Sequence, residues 1–109
     1  MKLSMGRVHE RVTIKEGGEK LTLLADGDPM RMVAGLSQAQ KMLKAINGES
    51  TEQDTKNAAL YFAQVLFGQE QSQKLMEFYL GDAGCVIQIC GQVFQKISGQ
   101  ITKLQKRKG

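Results

Sequence analysis

From residue 86 onward, apolar side chains recur at steps of four and three: Val86, Cys90, Val93, Ile97, Ile101 and Leu104. That spacing lines up one apolar stripe along an α-helix, whereas a strand would scatter the same residues over both its faces. A helix so long and one-sided must cover its stripe, and the rest of a 109-residue chain has to be arranged to do so. The helix is expected over 83–106, after the break at Gly81-Asp82-Ala83-Gly84, with Asp82 as its cap. On a neighbouring line Gly84, Gly91 and Ser98 recur every seven residues. Small residues at that interval admit a second backbone, either another helix of the same chain or another subunit. Val86, Gly91, Val93, Ile97, Ser98, Ile101 and Leu104 are therefore the candidate interaction residues, and a homo-oligomer is expected.

The N-terminal part reads differently. Val8, Val12, Ile14, Leu21, Leu23 and Leu24 lie among charged residues, and Glu16-Gly17-Gly18-Glu19 separates two such runs. A Gly-Gly pair between alternating segments specifies a two-residue hairpin turn, so strands are expected near 8–15 and 20–25. A lone hairpin is marginal in water and must pack on helices or pair with another chain. Asp28-Pro29 then opens a helix over 29–46 carrying Met32, Leu36, Ala39, Leu43 and Ile46, stopped by Asn47-Gly48. Ser50-Thr51-Glu52-Gln53 reads as a capping box, with Ser50 and Gln53 as the reciprocal pair, for a helix over 51–67. Ala58, Ala59, Phe62, Val65 and Leu66 form its buried face. A shorter helix is expected over 69–80. The whole is one α+β, mostly α domain spanning 1–109: a hairpin followed by about four helices. The aromatics Phe62, Phe67, Phe78, Tyr79 and Phe94 exceed what four short helices need, so part of that bulk is expected to be shared with a partner.

Charge narrows the function classes. Lys and Arg number 15 against 11 Asp and Glu, but Lys103, Lys106, Arg107 and Lys108 crowd the last seven residues. Without these four the two signs balance, so the basic pI belongs to a C-terminal tail over 103–109, not to a nucleic-acid-binding face. Specific nucleic-acid binding is not expected. No apolar run approaches the ~20 residues of a membrane span, and Met1–Arg7 lacks the apolar core of a secretory leader. Cys85 and Cys90 have the wrong spacing for zinc and read as small apolar residues, with His9 as the single histidine. No phosphate-cradling glycine motif or nucleophile elbow occurs. The chain is expected not to be an enzyme, with no metal and no cofactor.

The segments Asp28-Pro29-Met30-Arg31-Met32-Val33, Ala58-Ala59-Leu60-Tyr61-Phe62 and Phe67-Gly68-Gln69-Glu70-Gln71, behind an N-terminal hairpin, resemble the tail assembly chaperones of phages from Gram-positive hosts. The likeness extends over roughly residues 6–105. It implies a cytoplasmic assembly factor that binds the tape measure protein, helps recruit tail tube subunits, self-associates and is absent from the finished virion. It also implies that a frameshift near the lysine-rich end can append a second domain. A minor structural head-tail or tail protein, and a small basic nucleic-acid-binding protein, are the alternative readings.

Overall fold

The computed structural model describes residues 8–106, with side chains through Thr102. Six elements follow in order: β1 (Val8–Glu16), β2 (Glu19–Gly27), α1 (Pro29–Lys44), α2 (Glu52–Phe67), α3 (Gln69–Phe78) and α4 (Ala83–Lys106). The α+β, mostly α class is as expected, and each strand runs slightly further than its apolar pattern suggested. β1 and β2 pair antiparallel from Val8↔Gly27 to Glu16↔Glu19. Gly17 and Gly18 sit at φ 56° and 84°, the left-handed backbone that a two-residue turn joining twisted strands requires.

Local chemistry sets the helix ends. Asp28 accepts a hydrogen bond from the Met30 N–H at 3.0 Å and Pro29 takes the first helical position of α1. α1 closes at Lys44, two residues short of the expected end. The α2 capping box is present one residue later than the sequence suggested. Thr51 Oγ1 accepts from Asp54 N at 3.1 Å, and Asp54 Oδ2 accepts from Thr51 N at 2.9 Å. Ser50 instead serves the preceding turn, its hydroxyl accepting from Asn47 N. α3 also ends early, at Phe78. The Leu80 N–H donates to Glu77 O and the Gly81 N–H to Met76 O, closing the helix end through a Leu80 held at φ 55°. Asp82 caps α4, accepting from the Cys85 N–H at 3.3 Å.

α2 is the central element. α1, α3 and α4 pack around it, β2 rests on α2 and α3, and β1 runs beside α4. Val8, Leu23 and Ala25 of the sheet join Leu36, Phe62, Leu66, Leu75 and the α4 stripe in one core. α1 approaches α2 closely at Gly35, where a Cβ would stand 2.8 Å from Val65 Cγ1. That glycine is required by packing, and the chain's helical pattern gives no sign of it. Phe62 and Phe67 are buried, and Phe62 meets Phe94 edge-on with centroids 6.4 Å apart. Phe78 and Tyr79 pair in the same way at 5.2 Å. The aromatic bulk expected to be shared with a partner is thus largely used inside the chain.

Candidate interaction surface at the hairpin edge

Of the residues assigned to an interaction face, Val86, Val93, Ile97 and Ile101 are buried in the chain's own core, at 0 to 7% exposure. Their stripe is covered by α2 and β1, because α4 must bury it somewhere and the hairpin lies alongside. Contrary to the expectation from their spacing, these four belong to the core and not to a free surface. Gly91 is half-buried, with nothing within 4 Å of where its Cβ would be, and Ser98 is exposed. Ser98 lines a shallow groove between α1 and α4 with Val33, Leu36, Phe94 and Ile101. Gly91 thus serves no close contact within the chain, whereas a Cβ at Gly84 would stand 3.3 Å from Asp82 Oδ1. The side chains of Lys103, Leu104 and Lys106 lie outside the described residues, as do Arg107 and Lys108 altogether. Cys90 is buried, and its thiol is pushed up to about 12 by that burial.

The hairpin offers a different surface. In an antiparallel pair, alternate residues turn both N–H and C=O toward the partner strand while those between turn both outward. Two glutamines show which is which. Gln71 of α3 accepts from the Leu24 N–H at 2.8 Å and donates to Leu24 O at 2.9 Å, closing the β2 edge at that point. Gln100 of α4 does the same for β1, accepting from His9 N at 3.2 Å and donating to His9 O at 3.4 Å. It is steadied by a 2.7 Å bond from its Nε2 to Glu10 Oε1, whose other oxygen lies 4.0 Å from Lys96 Nζ. Since His9 faces outward, so do Arg11, Thr13 and Lys15. Among the described residues nothing bonds to the outward N–H and C=O of these three.

This open edge forms one wall of a groove of about 360 Å³. Arg11–Glu16 of β1 stands on one side, and Ile89, Gln92, Val93 and Lys96 of α4 on the other. Tyr79 closes the end near the turn. Its phenol is pushed up to about 12, by burial first and then by its hydrogen bond to Glu16 and that carboxylate's charge. The inner side of the groove is apolar, from Val12, Ile14, Ile89 and Val93, and the outer rim carries Arg11, Lys15 and Lys96. Such a site can hold an extended chain by its backbone. The sequence carried one signal for it, since cations at alternate positions of a strand mark a guarded sheet edge. The two glutamines gave none.

Among the described residues no helix is long and apolar enough to cross a membrane. No family model matches this chain, and neither a curated protein nor a solved structure matches it.

Proposed function

We propose that the protein is a non-enzymatic phage tail assembly chaperone that binds the tape measure protein and helps recruit tail tube subunits. The observation that carries this reading is the β1 edge at Arg11, Thr13 and Lys15, open onto a groove beside α4. A factor that holds another chain temporarily needs backbone donors and acceptors that a partner can complete without unfolding the factor. The rest of the hairpin is anchored by Gln71 and Gln100, so the open part is presented on a fixed frame. The resemblance of Asp28–Val33, Ala58–Phe62 and Phe67–Gln71 to tail assembly chaperones supplies the identity of the partners. In this role the protein acts in the cytoplasm of the host and leaves before the particle is complete.

Co-expression with the tape measure protein encoded in the same operon tests the reading. A soluble complex that co-elutes in size-exclusion chromatography is expected. A tape measure protein that behaves identically with and without this chain overturns the proposal. Mass spectrometry of purified particles is expected to find no copy of the chain; finding it there identifies a structural tail component instead.

A further inference from the structure

We infer that the groove between β1 and α4 takes one extended segment of a partner protein, with side chains alternating acidic and apolar, as a third strand beside β1. This rests on the reading of the chain as a partner-binding protein and specifies what the partner must present. Arg11–Glu16 is six residues of wall, roughly 20 Å of strand at about 3.3 Å per residue. A segment of that length fits. Bound along it, the segment completes the N–H and C=O groups of Arg11, Thr13 and Lys15 in a ladder.

The pleat then dictates the side chains. On an added strand, successive residues point to opposite faces. One set falls on the inner face beside Val12, Ile14, Ile89 and Val93 and must be apolar. The other set falls on the outer face beside Arg11 and Lys15 and is favoured when acidic. Two other occupants fit less well. A second copy pairing β1 with β1 about a two-fold axis centred on Thr13 sets Arg11 against Lys15 twice, centring on Arg11 or Lys15 sets each cation against itself, and centring on Val12 or Ile14 sets Thr13 against a cation. The outward set His9, Arg11, Thr13 and Lys15 holds no acid to pair with either cation in any register. A nucleic acid meets the cations and the N–H donors with phosphate but leaves the carbonyl acceptors without donors along the strand.

The test uses the full chain and a labelled octapeptide alternating Glu and Val. Its competitors are a peptide of the same composition with the two residue types in separate blocks, and one alternating Lys and Val. Fluorescence anisotropy is expected to show at least a tenfold preference for the alternating acidic peptide. Hydrogen exchange is expected to slow at the amides of Arg11, Thr13 and Lys15 on binding and to stay unchanged at Val12 and Ile14, whose N–H groups already face β2. Thr13→Pro removes an outward N–H while leaving the β1–β2 ladder bonds in place, and should lower binding more than tenfold. Reversing both cations (Arg11→Glu with Lys15→Glu) should switch the preference to the Lys–Val peptide, a gain that a misfolded variant cannot produce. Equal binding of the block peptide, protection elsewhere, or an unswitched preference overturns the inference. So does a dimer that Thr13→Pro dissolves, or tighter binding of duplex DNA than of peptide at ~150 mM salt. If the tape measure complex forms but the peptide does not bind, this inference falls and the proposed function stands. The reverse result sinks the function and keeps the groove.

Discussion

At its base the hairpin is closed on both edges: Gln71 bonds to the β2 backbone at Leu24 and Gln100 to the β1 backbone at His9. Toward the Gly17-Gly18 turn the same two strands carry Thr13, Lys15, Lys20 and Thr22, all exposed, and among the described residues no helix side chain bonds to the edges there. A two-stranded sheet is marginal by itself, so both halves pack their inner face on the helices, the half near the turn through Ile14. What the half near the turn leaves uncommitted is its outward backbone edge. Lys15 and Lys20 stand directly opposite each other on that half, an arrangement that costs some stability. The same charges discourage edge-to-edge association of identical chains.

The largest contrast should come from two leucines on one face of β2. Leu23 is 1% exposed and Leu21 only half-buried. Leu23→Ala is expected to cost about 2–5 kcal/mol in chemical denaturation, as for other buried leucines, and Leu21→Ala less than half as much. Equal losses would mean the tip is as firmly packed as the base. Next comes Gln71→Leu, which strands two half-buried backbone groups at Leu24 and should cost about 1–3 kcal/mol. Gln100→Leu should cost less, because its contacts at His9 are longer and exposed. A larger effect at Gln100 would reverse the assignment of which edge is the better fixed.

Lys15→Glu should act in the opposite direction, replacing a like-charge pair with an attractive one and stabilising the fold by about 0.2–1 kcal/mol. The same change weakens the groove's grip on an acidic segment, so stability and binding separate in one variant. The smallest effect concerns the contact between Tyr79 and Glu16 near the turn. Because Tyr79 keeps its proton up to about 12 against an ordinary 10.0, its contribution to stability is fully present below pH 10. It is lost as pH rises from there through about 12. Ultraviolet titration should resolve this late phenol, and Glu16→Gln should move it back toward the ordinary range.

Much of the fold is legible in the sequence. The hairpin followed from Gly17-Gly18, α1 from Asp28-Pro29, and the α4 stripe from its four-and-three spacing, because each signal lies within a few residues of what it specifies. The capping box shows the limit of such reading. Ser50 and Thr51 both satisfy the pattern, and Asp54 selects Thr51 by bonding to its backbone N–H. The apolar stripe of α4 reads as an interaction face for a related reason, although Val86, Val93, Ile97 and Ile101 lie in the core.

A period of 3.6 residues says that α4 has an apolar face, and the sequence by itself determined that Val86, Val93, Ile97 and Ile101 would need cover. What covers them is a matter of which elements fold back onto α4, and only the tertiary structure decided that these are α2 and β1. The same holds for Gly35, small because Val65 of another helix stands 2.8 Å from its missing Cβ. It holds for Gln100 and His9 as well, 91 residues apart in the chain and joined backbone to side chain. Local spacing fixes how a side chain faces its own helix or strand. Contacts between distant segments depend on how whole elements pack, and those contacts left the edge at Arg11, Thr13 and Lys15 open.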